Sequence, residues 1–430
     1  MKYAIPASTP KWSRRHVVLA TGTLALAIAA ALTAHPAKAQ QQVIKIGALA
    51  TLEGPFAVPG QDGMRGVDLA VAQHKGMVAG KKIEIIKASS NGNPDTAVNA
   101  VRKLVEQDGV QILIGPLSGS EGIAVKDYAK THPEVTFVNG SSAAQATTLQ
   151  NPAPNFFRFS TDGAQWQAGL GTYAYKDKGY KRVVSVAEDY SFPYSLLQGF
   201  MIEFCKAGGK VVDKHWVPLG TKDYSSVIAR LPDNIDAIYV ALGGSDAVNF
   251  FSQYEQAGGD KPLIAGSITI DQSVLGYKGK RRDALVGTPS AGPIADNYDD
   301  PAWKKFVADY RAAYKDGLPS PSLFAHAYYV NTKAVLDALE QEKADLSNNQ
   351  AKLRQTLSTM TESTPTGNVK LDENRNAVAN IFLTEVAKNS DGTLYNKFVK
   401  VIPDVNQRLG LSKAEFDKMG LGSRTNPECK

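Results

Sequence analysis

The sequence has 430 residues, a net charge of +6 and two cysteines. A chain of this length is longer than one that folds around a single ordinary hydrophobic core, so we predict two domains. Residues 1–39 hold five basic side chains and no acid, so the remainder carries about +1. Because the chain beyond residue 39 is nearly neutral, its net charge gives no reason to expect a nucleic-acid or lipid partner.

Residues 1–39 have the pattern of a cleavable signal peptide: a basic start, an apolar stretch at 17–32, and small residues up to Ala39. A permanent membrane anchor is the alternative, but the apolar stretch is short and interrupted by polar residues. Arg14 and Arg15 resemble a twin-arginine export signal. Adjacent arginines also occur in ordinary signals, so both export routes stay open. We expect an exported mature chain without membrane insertion.

The two cysteines, Cys205 and Cys429, are far apart in the sequence. In an oxidising compartment they would pair and tie the C-terminal tail to a helix in the middle of the chain. The alternative is a buried Cys205 and a free thiol in the tail. We expect the disulfide.

Short β-branched runs alternate with helical patterns, which predicts βα units and mostly parallel sheets. A first set has strands at 43–49, 82–88, 110–115 and 135–140, with helices at about 61–73 and 95–107 and one ending near 131. After 155–160 a second set has strands at 182–187, 210–217, 236–241 and 262–266, with helices from about 164, at 194–207, near 224 and through 250.

The last third of the chain adds a return strand within 284–293, helices at 301–314 and 322–339, a hairpin at 367–386 and a strand at 395–402. Two sheets with late extra elements indicate lobes joined by more than one crossing. We predict an α/β fold of two doubly wound parallel-sheet lobes. The first lobe takes 40–159 plus 290–365, and the second takes 160–289 plus 366–430.

The sequence lacks the common motifs of metal sites and enzymes. Beyond residue 39 the histidines are His74, His132, His215 and His326, and none has the i, i+4 spacing of a helical metal site. No Cys-x-x-Cys, P-loop or complete G-x-G-x-x-G occurs, and GPLSG has one residue too many between its first Gly and its Ser for the G-x-S-x-G nucleophile elbow. We therefore expect no metal, no cofactor and no enzymatic activity.

The strand-to-helix turns are more informative, because ligands of open α/β sheets lie beyond the carboxyl ends of the strands. The turns are PLSGSEG at 116–122, NGSSAAQ at 139–145, EDYSFPYS at 188–195, GGSDA at 243–247 and GSITID at 266–271. Helix N-termini carry free N–H donors, so a turn of small hydroxyl residues can hold an anion without Lys or Arg. These turns predict a site for a small carboxylate whose body is covered by aromatic rings. Simple helix capping is the alternative for each turn.

From about residue 43 to 402 the chain resembles the leucine/isoleucine/valine-binding family of periplasmic solute-binding proteins, which feed ABC importers. The resemblance rests on IKIGALATLEGPFAVPGQDGMRGVDLAV, LIGPLSGSEGIAV, VNGSSAA, EDYSFPYS and GNVKLDENRN. It implies a type 1 periplasmic-binding-protein fold with a multi-strand hinge, a periplasmic and monomeric protein, and ABC permease subunits as partners. A sensing role beside a chemoreceptor or signalling system is the alternative function.

The resemblance also implies the ligand-binding positions: turns of the first lobe would grip the ligand carboxylate, and aromatic residues of the second would cover its body. The candidate residues are Phe56, Ser118, Gly119, Ser120, Ser141, Ser142, Ala143, Tyr190, Phe192, Ser245 and Ser267. Packing between the lobes is the alternative role for Tyr190 and Phe192.

Two positions depart from the family pattern. Amino-acid binders usually place a carboxylate near the position of Ser267, and often a threonine at that of Ala143. Asp246 or Asp271 could supply the missing charge from a neighbouring turn. We therefore expect a small aromatic or aliphatic acid ahead of a branched-chain amino acid.

Overall fold

The computed structural model describes residues 43–276 and 283–429. The predicted signal peptide at residues 1–39 lies outside these described residues. Within them, no helix is long and apolar enough to cross a membrane.

The described residues form fifteen strands and thirteen α-helices. The strands are β1 (Val43–Thr51), β2 (Met77–Val78), β3 (Lys81–Ser90), β4 (Ile112–Ile114), β5 (Thr136–Val138), β6 (Phe156–Phe157), β7 (Arg182–Glu188), β8 (Lys210–Val217), β9 (Ala237–Ala241), β10 (Leu263–Ala265), β11 (Pro289–Gly292), β12 (Thr361–Thr364), β13 (Gly367–Leu371), β14 (Ala377–Lys388) and β15 (Leu394–Val405). The helices are α1 (Ala57–Gln73), α2 (Pro94–Arg102), α3 (Gly119–Ala129), α4 (Ala146–Leu149), α5 (Leu170–Lys176), α6 (Ser191–Lys206), α7 (Ser225–Ile228), α8 (Gly244–Gln256), α9 (Gln272–Leu275), α10 (Pro301–Ala313), α11 (Leu323–Gln341), α12 (Ser347–Thr359) and α13 (Lys413–Met419).

The first sheet has six strands in the order β2-β3-β1-β4-β5-β6. Neighbouring strands are parallel except for the antiparallel pair β2 and β3. Ile112 and Ile114 of β4 join a core cluster with residues of α1 and α11, whereas Leu113 joins one with residues of α2 and α3. Because successive strand residues point to opposite faces, helices cover both faces of this sheet.

The second sheet has nine strands. Its parallel part runs β11-β10-β9-β7-β8, and β14 then pairs antiparallel with β11, β13 and β15. Val183 of β7 joins a cluster with residues of α6, and Val184 joins one with residues of α8. The predicted α/β class with two sheet-centred lobes is confirmed. The late hairpin makes the second sheet mixed rather than purely parallel.

The chain passes between the two sheets after β6, after β11 and after α12. Between the last two crossings, α11 returns to pack on α1 of the first sheet. Because β11 pairs with β10 and β14, residues 290–292 lie with the second sheet, whereas the predicted boundary assigned them to the first lobe. β12 (Thr361–Thr364) also lies in the second sheet, whereas the predicted first lobe extended to residue 365. The remaining lobe boundaries stay predictions.

Cys205 of α6 and Cys429 of the tail form a disulfide, with their Cα atoms 5.2 Å apart and a separation of 224 positions in sequence. Two further contacts hold the same tail. The Arg424 guanidinium pairs with the Asp189 carboxylate, with Nε 2.8 Å from Oδ1, and the Gln198 amide donates to the Gly420 carbonyl at 2.6 Å. The tail is thus attached to α6 and to the end of β7.

Candidate functional site

The turn between β4 and α3 ends in a capping box. The Ser118 hydroxyl accepts the N–H of Glu121 at 3.4 Å, and the Glu121 carboxylate accepts the N–H of Ser118 at 3.1 Å. Ser118 therefore does cap the helix, as the simpler interpretation of this turn required. The N–H groups of Gly119 and Ser120 follow in the first turn, where a helix offers no internal acceptor. These groups can receive an anion.

The turn after β5 brings Ser141, Ser142 and Ala143 beside the same helix end. The N–H groups of Ser141 and Ser142 both donate to the Pro116 carbonyl, at 3.1 and 3.2 Å. The buried Ser142 hydroxyl has no hydrogen-bond partner and lies against Gly122 of α3. Two hydrogen bonds to one carbonyl therefore fix this turn against the α3 turn.

Aromatic rings from the start of α6 lie opposite these two turns. The Phe192 ring packs edge to face on Trp166, with centroids 5.4 Å apart, and its centroid is 6.2 Å from that of Tyr190. Phe192 is only 5% exposed. The Cβ of Phe192 lies next to Gly119, so the second-sheet rings meet the α3 turn directly.

These elements enclose a cavity of about 240 Å³ of empty space, which limits a ligand to a small molecule. Seven predicted site residues line it: Phe56, Ser118, Gly119, Ser141, Ala143, Tyr190 and Phe192. Between the lining side chains as they stand, only about one water-sized group fits. A larger ligand therefore requires the cleft to open and the rings to shift.

Four predicted site residues do not line this cavity. The Ser120 hydroxyl lies 3.3 Å from the Ser191 hydroxyl, so it bridges the first turns of α3 and α6. Ser142 points at α3, and Ser245 is half-buried with its hydroxyl 3.5 Å from the Asp246 carboxylate. Ser267 lines a neighbouring cavity.

Four lining residues were not predicted, namely Leu117, Trp166, Ile268 and Phe324. Leu117 and Ile268 lie within turns that the sequence had indicated, so the turn signal could have found them. Phe324 is the second residue of α11, far from those turns in sequence, and no local pattern pointed to it. Trp166 lies in a short 3-10 turn where we had predicted the start of a helix.

Three buried acids stand near the cavity without lining it. The Glu188 carboxylate accepts the N–H of Gly243 at 2.9 Å, and burial raises its pKa well above the usual range. Asp246 accepts the N–H of Gly220 at 2.6 Å, and burial raises its pKa too. Burial also raises the pKa of Asp271 to about 6. Burial therefore favours the neutral form of each of these three carboxyl groups.

The side chains that line the cavity are hydroxyl-bearing, aromatic or aliphatic. Such a lining suits a small molecule with an apolar body and one polar end. In residues 43–276 and 283–429, no three or more His, Cys, Asp or Glu residues form a group able to hold a metal ion.

A family model described as periplasmic binding protein matches residues 43–393. A curated relative, the Leu/Ile/Val-binding protein homolog 6 of Brucella melitensis, is 28% identical over 388 residues, which cover 88% of this chain and 96% of the relative. The residues that the family model matches include the first sheet, the second sheet except β15, and every residue that lines the cavity.

Solved structures agree with this assignment. An ABC transporter substrate-binding protein from Sphaerobacter thermophilus is 31% identical with a TM-score of 0.76, over 85% of this chain and 99% of that one. A solute-binding protein of an ABC transporter from Rhodopseudomonas palustris, in complex with 3,4-dihydroxy benzoic acid, is 25% identical with a TM-score of 0.78, over 85% and 98%. The chain therefore belongs to the periplasmic binding protein family, among the relatives of the leucine/isoleucine/valine-binding proteins of ABC transporters.

Proposed function

We propose that this protein is the periplasmic, monomeric solute-binding component of an ABC importer, and that it captures a small carboxylate between its two sheets. The observation that carries the proposal is the composition of the cavity: neutral donors at a helix start on one side and aromatic rings on the other. The two lobes close on the ligand by a hinge and deliver it to permease subunits.

The carboxylate end binds at the turns that contain Ser118, Gly119 and Ala143. The first-turn N–H groups of α3 and the partial positive charge of its N-terminus favour an anion. Neutral donors stabilise a carboxylate without forming an ion pair, so the ligand can still be released to a transporter.

The ligand body packs against Phe192, Tyr190 and Trp166. We rank a small aromatic or aliphatic acid as the first candidate for the ligand and a branched-chain amino acid as the second. No acid lines the cavity among the described residues, so a ligand ammonium would stay unpaired there at a cost of several kcal/mol. The 3,4-dihydroxy benzoic acid bound by the Rhodopseudomonas relative supports an aromatic acid. Branched-chain amino acids are the second candidate, because the Brucella relative is named a Leu/Ile/Val-binding protein homolog.

A thermal-shift screen against amino acids, aromatic acids and small aliphatic acids tests this proposal, followed by calorimetry on each hit. We expect aromatic or aliphatic acids to raise the melting temperature by several degrees, because a ligand that binds only the folded state stabilises it. Tight binding of leucine or valine, with no response to the other acids, would contradict the order of preference.

A further inference from the structure

Arg158 is a wholly buried arginine behind the turn that follows β5. It comes directly after β6, where the chain passes from the first sheet to the second, and it is 0% exposed. Burial lowers the pKa of its guanidinium to about 10, so the group is charged at neutral pH. Because a buried charge is costly unless its surroundings compensate it, the partners of this group indicate its role.

Most acceptors of the Arg158 guanidinium lie in that turn and the short helix after it. Nη1 donates to the Ala144 carbonyl at 2.8 Å and to the Ser142 carbonyl at 3.4 Å. Nη2 donates to the Thr148 hydroxyl at 2.8 Å. The Ser142 carbonyl also accepts the Asn139 amide at 3.0 Å. Arg158 therefore helps to fix the orientation of two peptide groups of the turn.

This orientation presents an N–H group on the side of the ligand cavity. The peptide bond between Ser142 and Ala143 is trans, so its carbonyl and its N–H point in opposite directions. Since the carbonyl faces Arg158, the Ala143 N–H faces away from it, and Ala143 lines the cavity. No main-chain carbonyl of residues 43–276 and 283–429 accepts this N–H. It is therefore available to a ligand carboxylate.

The positive charge of Arg158 is only partly balanced by Asp162. The Asp162 carboxylate lies 3.8 Å from Nη2, which is beyond hydrogen-bond distance. Its two oxygens instead accept the N–H of Gln165 at 2.9 Å and the amide of Gln407 at 2.7 Å. Burial raises the pKa of Asp162, whereas the Arg158 charge and these hydrogen bonds lower it. Because no hydrogen bond joins the two charges, Arg158 can still attract an anion at the turn.

The second sheet holds the Arg158 side chain from its other edge. Nε donates to the Asn376 side-chain oxygen at 2.6 Å, and the Asn376 amide donates to Gln165 at 2.8 Å. The Arg158 main-chain N–H donates to the Arg375 carbonyl at 3.0 Å. The guanidinium is thus fixed from both sheets, so it supports the turn as a rigid group.

We propose that Arg158 is a positioning residue of the carboxylate site. It orients the turn so that the Ala143 N–H faces the ligand carboxylate, and its buried positive charge favours an anion there without contacting it. The inference rests on the proposed carboxylate-binding function and names a residue that supports it. A turn with no basic residue of its own can prefer an anion in this way, because the cation lies behind it.

Calorimetry with 4-hydroxybenzoate and 4-hydroxybenzamide tests this role, because the two ligands differ in the charge of one end. Their affinity ratio is the acid preference, at least about tenfold in the unmodified protein. Arg158→Gln removes the cation and should lower this preference to below about threefold. Arg158→Lys keeps the charge without the fork of donors and should retain more of the preference than Arg158→Gln does. A purely structural role would change both affinities by the same factor.

Asp162→Asn should change the preference in the opposite direction. It removes the counter-charge of Arg158, so the acid preference should rise by at least about threefold. The Gln407 side-chain oxygen has no hydrogen-bond partner, so this amide can flip and accept a hydrogen bond from the new side chain. Asp162→Asn therefore tests the inference even if Arg158→Gln does not fold.

Asn155→Ala is the structural control. The buried Asn155 amide donates to the carbonyls of Ala129, His132 and Val135 at 2.8 to 2.9 Å. Its loss should lower the melting temperature and leave the acid preference unchanged. An unchanged preference in Asp162→Asn, or in a folded Arg158→Gln, would overturn the role of Arg158 alone. Unmodified protein that binds neither ligand, or binds both equally, would overturn the proposed function itself.

Discussion

Gly119 at the start of α3 lies directly against Phe192 at the start of α6. A methyl group added to Gly119 would sit 2.7 Å from the Phe192 Cβ and 3.1 Å from the Ala144 Cβ. Real Cβ atoms do not approach each other this closely, so a larger residue must push the two helix ends apart. This contact joins the predicted carboxylate turn to the predicted aromatic cover.

Gly119→Ala should therefore hold the cleft more open and weaken ligand binding by about tenfold or more. Small-angle scattering with ligand should give a larger radius of gyration for the variant than for the unmodified protein. Ser120→Ala, in the same turn, is the comparison: it removes one hydroxyl contact with Ser191 between the same helix ends but adds no bulk, so it should change both quantities less than Gly119→Ala does. An equally compact, equally tight Gly119→Ala variant would show that this contact does not control closure.

Phe192→Ala should weaken the ligand by roughly 2 kcal/mol, about thirtyfold, because the ring covers the cavity and packs on Trp166. Tyr194→Ala removes a ring from the same helix that packs on Trp216 and does not line the cavity, so it is the matched control. Calorimetry with the best ligand of the screen measures both. Equal losses in the two variants would assign Phe192 to lobe packing only.

Reduction of the Cys205–Cys429 disulfide should lower the unfolding free energy by roughly 3 to 5 kcal/mol, because the link closes a very long loop. Denaturant unfolding of the protein with and without reductant measures this loss. The double variant Cys205→Ser, Cys429→Ser should show the same loss without reductant and should not respond to it. Mass spectrometry that finds two free thiols in freshly exported protein would contradict the pairing.

His326 should make the protein less stable at acid pH. Burial beside Trp303 and Phe306 lowers the pKa of His326 to about 3 from its usual 6.5. Between these values the unfolded chain binds a proton that the folded chain does not, so the unfolding free energy falls as pH falls from 6.5 toward 3, by about 1 kcal/mol per pH unit.

Denaturant unfolding of His326→Gln at several pH values should show a shallower slope over this range than the unmodified protein. His74→Gln is the contrast, because the hydrogen bond that the His74 ring donates to the Asp337 carboxylate raises the pKa of His74, and its contribution to stability is lost as pH rises. An unchanged slope in His326→Gln would mean that His326 is protonated in the folded protein.

The sequence predicted most strands and most helices because their periodicity is local, but not the short strands β2 and β12. The run at 210–217, for example, forms β8 with the same bounds. The helix predicted from about residue 164 begins only at Leu170, because Gly169 adopts a positive φ of 84° that ends a short 3-10 turn. The polar helix α12 was not predicted, because the helices were predicted from the periodic spacing of their apolar residues.

The candidate site was predictable where it depends on turns and unpredictable where it depends on distant packing. Gly119 and Phe192 lie in turns whose composition pointed to them, and both line the cavity. Phe324 reaches the cavity from a helix more than 100 residues away from either, which only the folded chain reveals. Ser267 lies in a predicted turn, but it lines a neighbouring cavity and not the ligand cavity.

The central claim is that the turns of the first sheet hold a carboxylate. Calorimetry of the mature protein with an acid that binds and with the corresponding carboxamide tests it most directly, for example 4-hydroxybenzoate against 4-hydroxybenzamide. We predict that the acid binds at least about tenfold more tightly, because the N-terminus of α3 favours a negative charge that the amide lacks. Equal or tighter binding of the carboxamide would contradict the account.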